Sequence, residues 1–497
     1  MKSIIRFGSL LLIGASGLFF SGCVTEPSAL TGEKTSFGYT WSQELELGRS
    51  ADGDIVSEMG LYQDEEIAAY VVEIGERVLA ESSLRRDDTP EIYSSLDFEF
   101  RVLDSPIVNA FALPGGYVYV TRGLLAHLNN EAQLAVVLGH EITHVAGRHA
   151  SKQALKQQWG QIGLTAGAVI GAEIADKPEL ANQFMELGGG LFQLLSLKYG
   201  RDAERESDLF GVEYAGRAGY SVGEAAAFFD SLSRLSDRSG QQIPSWMSSH
   251  PDPGERSQTI LQFGREQASS GVVGIVEQSR YYDMVNGMAV GVDPRQGFTE
   301  GNVFYHPALG FSFAVPSGWV LQNEANSVMM ADEGRKALMA FSFSSASSPE
   351  SAAHAFASEL QGVEVSRSSQ RINGLEAFVV ELEVPKEEAP MMVHYTCVAY
   401  RDQVYSFMGY CSSADYESYR LSFGSIGNSF EQVKDSAILN RQPVLLSIGP
   451  ARRTAKFSEL LPDSLPDGLD ALSLAIMNQL NLDTVVERGQ LLKLPAE

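Results

Sequence analysis

Apolar positions recur at helical spacing from Ser42 to about Ser83: Leu45, Leu47, Ile55 and Met59, then Ile67, Val71, Ile74 and Val78. Leu96–Leu103 alternates instead, which predicts a strand. Gly116–Thr121 predicts a second short strand after the turn-forming Pro114-Gly115. Helical patterns run from Asn130 to about Ser236 and again over Glu255–Gln267. Further on the period shortens to two. Strands are predicted at Phe311–Val315, Ala337–Ser344 and Ala377–Val384, with a hairpin of Met391–Tyr400 and Gln403–Tyr410 around Arg401-Asp402. One helical stretch, Pro349–Leu360, interrupts them. The pattern predicts a multidomain chain. A polar tether covers 23–40, and a mainly α-helical domain with a small β-sheet covers 41–275. A Gly- and Pro-containing linker covers 276–301, an α+β sandwich 302–433, and a small α/β module 442–497.

Composition narrows this. The chain has 497 residues, enough for two to four domains. With 63 acidic against 37 basic residues the net charge is -26, so nucleic acid is excluded as a partner. Three cysteines are too few for a disulfide scaffold. Lys2 and Arg6 precede an uncharged apolar run, Leu10–Phe20, too short to span a bilayer but suited to a signal peptide over residues 1–22. The run ends in Phe20-Ser21-Gly22-Cys23, which resembles a bacterial lipobox and implies lipidation of Cys23. Phe20 stands where Leu is usual, which leaves cleavage by the ordinary secretory peptidase open. Val24 after the cysteine implies, by resemblance to enterobacterial sorting, a periplasmic protein anchored to the outer membrane. Ile162–Ala172 is apolar but also too short to span. Across a two-residue turn Cys397 would face Tyr405 or Ser406, so Cys397 and Cys411 are expected to be unpaired.

One motif carries chemistry: His140-Glu141-Ile142-Thr143-His144. Residues i and i+4 share a helix face, so two imidazoles can reach one Zn2+ while Glu141 lies about 100° around the helix as general base. By chance such a motif would occur about 0.02 times in a chain of this composition. Catalytic zinc needs a third protein ligand and an open position. Glu204 and Asp208, again one turn apart, lie in Gly200-Arg201-Asp202-Ala203-Glu204-Arg205-Glu206-Ser207-Asp208. Glu206 points to nearly the opposite face and is the rival for Glu204.

Together with Asn109-Ala110-Phe111-Ala112-Leu113-Pro114-Gly115-Gly116 and Ser249-His250-Pro251, these motifs resemble the HtpX/CAAX-prenyl-protease-type zinc metallopeptidases (gluzincins) from about Trp41 to Gln267. Without spanning helices, the chain resembles the soluble periplasmic BepA-like branch, though it shows no tetratricopeptide pattern. The resemblance implies a zincin-type fold and hydrolysis of peptide bonds in unfolded or misassembled envelope proteins, with Glu141 as general base on zinc-bound water. It implies His140, His144 and Glu204 as metal ligands. Asp208 is implied as a catalytic residue that fixes a ligand imidazole or donates a proton, and Arg201 as a positioner of carboxylates. It implies Asn109 as a main-chain anchor for substrate, with Gly116, Tyr117 and Val118 pairing substrate as an added strand. His250 is implied as a fourth ligand at rest or an oxyanion donor. The segment opening Tyr305-His306-Pro307-Ala308-Leu309-Gly310-Phe311-Ser312-Phe313 resembles PsbP/Mog1-like sandwiches. Residues 442–497 resemble a degenerate LysM-like module, which implies contact with peptidoglycan. Outer-membrane assembly machinery is the other implied partner. Two alternatives stay open: a chaperone-like scaffold whose zinc site His250 latches, and a cell-wall-associated lipoprotein with an inactive metal site.

Overall fold

The structure, a computed structural model, describes residues 24–156, 199–239, 250, 253–271, 273–323, 326–385, 389–466 and 468–496. The signal peptide, Cys23 and Ile162–Ala172 lie outside the described residues. The chain divides into two compact units. One takes residues 20–174, 188–292 and 444–497; the other takes 293–443 with stretches outside the described residues.

In the first unit the predicted helical run from Ser42 is two helices, Trp41–Met59 and Glu65–Ala80. Thr40 and Gln43 cap the first reciprocally, and the Asp64 side chain accepts from two amides at the start of the second. A three-stranded sheet comes next, in the order Glu99–Leu103, Tyr117–Thr121, Ala110–Leu113. The metal-motif helix is Glu131–Ala146, capped by the Asn130 side chain on the Gln133 amide. Every residue of it is buried, not one face alone. Its first residue, Glu131, is a buried carboxylate accepting from Tyr70 Oη at 2.9 Å, Tyr220 Oη at 2.7 Å and Arg280 Nη1 at 3.1 Å. An anion at a helix N-terminus is stabilised by the dipole, and these donors satisfy it. Helices Arg201–Arg217, Ala225–Ser239 and Pro253–Ser269 complete the surroundings.

Three expectations change. The tether expected at 23–40 is folded over its described residues, 24–40: strands Val24–Pro27 and Lys34–Phe37 pair, and Phe37 is buried against the Arg148 guanidinium, 3.8 Å from its ring centroid. The linker at 276–301 contains the helix Gln278–Val285, whose Tyr281, Tyr282 and Val285 are buried, so its apolar content outweighs its Gly and Pro. Residues 442–497 are not a separate module. Strand Val444–Pro450 pairs with Ala289–Val290 and with Leu491–Pro495, and Leu446, Phe457, Leu474 and Leu492 join the apolar cluster that holds Leu134 and Leu138.

The second unit is α+β. Seven antiparallel strands include Ala337–Ser344, Leu375–Val384, Met391–Tyr400 and Gln403–Ser412, and a smaller sheet of four strands includes Val303–His306 and Phe311–Ala314. Alternation puts Met339 and Phe407 in one core with Phe423 of helix Tyr416–Asn428. It puts Leu338 and Tyr410 in another with Ala353 of helix Pro349–Leu360. Cys397 lies opposite Ser406, and both Cys397 and Cys411 are free and buried.

Candidate metal centre

The metal helix and the helix Arg201–Arg217 cross at two glycines. A Cβ on Gly139 would sit 2.5 Å from Gly211 O, and one on Gly211 would sit 2.6 Å from His140 N. This close approach lets side chains as short as Asp208 reach across. His140, His144, Glu204 and His250 each offer a ligand atom, all within 4.8 Å of one another, and all four residues are buried. His140 Nε2 is 3.0 Å from His144 Nε2 and 3.2 Å from His250 Nδ1, and His250 Nδ1 is 3.0 Å from Glu204 Oε1. Glu204 oxygens lie 3.5 Å from His144 Nε2 and 3.6 Å from His140 Nε2.

Those separations decide what the cluster fits. His140 Nε2 faces two other imidazole nitrogens, and a carboxylate adjoins the same point, a set of lone-pair donors that one cation can share. A tetrahedral ion bonded at about 2.0–2.1 Å holds its ligand atoms about 3.3 Å apart. The observed 3.0–3.6 Å brackets that value. Burial pushes His140 down to about 4 and His144 well below its ordinary range, so both rings are neutral, as a metal requires. Burial works against charge on Glu204 too, but His250, His140 and Arg256 together outweigh it and hold the carboxyl below its ordinary range.

The outer contacts hold the rings. Asp208 Oδ1 lies 3.0 Å from His140 Nδ1 and accepts from Arg256 Nε at 2.9 Å. Burial opposes its charge; Arg256 and His140 more than compensate, and its carboxyl is pushed down to about 2. On the other side His149 Nδ1 is 3.0 Å from His144 Nδ1, and His149 Nε2 is 2.8 Å from Glu206 Oε2. Glu206 therefore points away from the four donors, towards His149. Arg256 and Tyr199 were not legible in the sequence. Arg256, six residues past His250, reads as a solvated charge in a polar helix start but is buried, with its guanidinium 4.8 Å from the Phe229 ring centroid. The Tyr199 ring packs tilted against His144, with centroids 4.1 Å apart and the planes 33° from parallel. Arg201 is exposed.

The substrate-strand expectation needs correction. Gly116, Tyr117 and Val118 belong to or border the central strand, paired in parallel with Glu99–Leu103 and antiparallel with Ala110–Leu113. Neither edge of it is available for an added strand. Ala110–Leu113 is an outer strand packed on the metal helix, and it begins directly after Asn109. Asn109 is buried, and its Oδ1 has no hydrogen-bond partner among the described residues.

The model of Peptidase family M48 matches residues 67–263, the span that holds every one of these donors. The chain carries an M48 peptidase domain. Zinc is the cofactor of M48 metallopeptidases, and the buried donors fit it. The M48 span is shared with curated relatives. Mitochondrial metalloendopeptidase OMA1 of Arabidopsis thaliana is 32% identical over 34% of this chain and 32% of its own. The beta-barrel assembly-enhancing protease of Yersinia pestis is 29% identical over 50% of each chain. Its counterpart in Escherichia coli (strain K12) is 26% identical over 61% of each. The chain thus spans between a third and three fifths of the length of these relatives. Among solved structures, cyanobacterial PsbP from Synechocystis sp. PCC 6803 aligns with 28% of this chain and 91% of its own, at 13% identity and a TM-score of 0.23. Among the described residues no helix is long and apolar enough to cross a membrane.

Proposed function

We propose that the protein is a zinc endopeptidase that hydrolyses envelope proteins, with His140, His144 and Glu204 as the metal ligands and Glu141 as general base. One observation carries the reading: two imidazoles from one helix and a carboxylate from another face a common point at separations that suit a tetrahedral ion. Zinc, when bound, supplies a Lewis acid that polarises the scissile carbonyl and acidifies water. The other steps belong to the chain. Asp208 and Arg256 hold the His140 ring, and His149 with Glu206 holds the His144 ring, which fixes both tautomers. Glu141, one residue on from His140 and fully buried, takes a proton from the attacking water and returns it to the leaving amine. Asn109 binds the substrate main chain through its Oδ1, and Ala110–Leu113 pairs with substrate as an extended strand.

The names of the bacterial relatives support envelope proteins as substrates and barrel-assembly components as partners. Export to the periplasm and a lipid anchor at Cys23 rest on the signal-like N-terminus. Purified protein should contain one zinc per chain and cleave casein. Glu141→Gln should keep the zinc and lose cleavage. Loss of the zinc along with activity would refute the assignment of Glu141.

A second reading, a latched scaffold, is favoured by His250 alone. Its Nδ1 stands at the fourth corner, where a substrate carbonyl or water would otherwise enter. His250→Ala should then cleave faster than wild type; equal or slower cleavage removes the latch.

A further inference from the structure

Among the described residues, the chain leaves the first unit after residue 292 and returns to it at 444. Val290 pairs with Val444 and Ala289 with Leu445, so the strand that leaves for residue 293 and the strand that returns at 444 are direct neighbours. Gly287 N donates to Leu446 O at 2.7 Å, and Leu446 N donates to Met288 O at 2.8 Å. Beyond this junction the C-terminal segment reaches the start of the metal helix.

Lys493 is fully buried, and its Nζ donates to Ala126 O at 2.7 Å and Leu128 O at 2.9 Å. These carbonyls lie at the C-terminal end of the short helix Arg122–His127, where backbone acceptors are left over. Burial pushes the amine well below its ordinary range, a cost the two carbonyls partly offset. Both main-chain groups of Lys493 are gripped by Asn478: the Lys493 amide donates to Asn478 Oδ1 at 2.8 Å, and Asn478 Nδ2 donates to Lys493 O at 2.8 Å. Gln479 Nε2 donates to His127 O at 2.9 Å, and its side chain exchanges amide contacts of 2.9 Å with Gln133, in the first turn of the metal helix. Asn129 Nδ2 donates to Asn478 O at 3.3 Å. Residues from 126 to 133, the approach and first turn of the helix that carries His140 and His144, are thus held from a segment some 350 positions away.

We propose that residues 444–497 are the closing part of the peptidase unit, with Lys493 and Gln479 as positioning residues for the metal helix, and that the 293–443 unit is an insertion into that unit. The proposal takes Glu131–Ala146 as the catalytic helix, but it is tested without activity. A cleavage sequence for a site-specific protease is inserted between the half-buried Arg441 and the exposed Gln442 of the full chain. After cleavage the C-terminal fragment should co-elute with the remainder in size-exclusion chromatography and separate only in denaturant. Separation in native buffer would overturn the proposal. In the uncut chain, Lys493→Met should speed amide hydrogen exchange in residues 129–134 by about tenfold or more and leave exchange in 293–443 unchanged, because losing buried hydrogen bonds loosens the nearest backbone first. It should also release zinc to a lower concentration of chelator. If Lys493→Met does not fold, Gln479→Ala, which removes only the amide pair, gives the same readout more mildly. Exchange in 129–134 that matches wild type in the variant measured would overturn the positioning role.

Discussion

Two regions of this molecule bury the same kinds of side chain and put them to different ends. In the α+β unit Glu381 accepts from Arg420 Nε at 2.8 Å and Ser366 Oγ at 2.7 Å, while His394 Nδ1 meets Tyr416 Oη at 3.2 Å. Each polar group there has a partner of opposite character, so the cluster is closed. In the peptidase unit His140, His144 and His250 turn nitrogen towards nitrogen, with Glu204 on the same point. Histidine, carboxylate and arginine are common to both. Only the second arrangement gathers four potential ligand atoms around one point, a set that a cation can share. Residue type therefore says less about chemistry than the way the pairing closes.

Glu204→Ala and Glu381→Ala should break this comparison most sharply. The first should strip zinc and abolish cleavage. The second should leave zinc content unchanged and lower only the unfolding temperature of the α+β unit. Metal analysis beside calorimetry separates the two. Glu141→Gln comes next, with an expected loss of about 10²–10⁴-fold in kcat at unchanged zinc. Asp208→Asn and His149→Ala act one contact out, and each should weaken zinc binding by about 10–100-fold in a chelator competition. Equal zinc affinity in His149→Ala would confine the holding of the rings to the Asp208 side.

The smallest effect is one of pH. Burial disfavours the Glu381 charge, but Arg420 and Ser366 outweigh it and hold the carboxyl at about 2, below its unfolded value of 4.5. A depressed carboxyl stabilises the fold above the unfolded pKa and loses that contribution as pH falls through the folded one. The stability gap between wild type and Glu381→Gln should be full above about pH 5 and shrink towards pH 2. A gap that is constant over this range would mean that the cluster is not held by charge.

The metal motif was legible because helical spacing is local: His140 and His144 share a face whatever the rest of the chain does. The hairpin of Met391–Tyr400 and Gln403–Tyr410 was legible for the same reason, with Cys397 placed opposite Tyr405 or Ser406; the strand runs on to Ser412 and the partner is Ser406. The substrate strand was not. Glu99–Leu103 and Tyr117–Thr121 pair in parallel, which puts the last strand of the three in the middle, and nothing in any single strand encodes that order. Arg256 was missed because a buried arginine and a solvated one look alike until its partners, Asp208 and Phe229, are in place.

By itself, then, the sequence determined the metal helix, the two imidazoles and the base between them, and the alternation of the α+β strands. Each depends on residues within a turn or a pleat of one another. Tertiary structure alone decided that Glu204 and His250 meet those imidazoles, that Glu206 turns to His149, and that the chain returns after residue 443 to close the first unit. Those outcomes depend on backbones meeting at Gly139 and Gly211 and on strands joining across more than 150 residues. Such contacts are set by the packing of whole elements, which no local pattern contains.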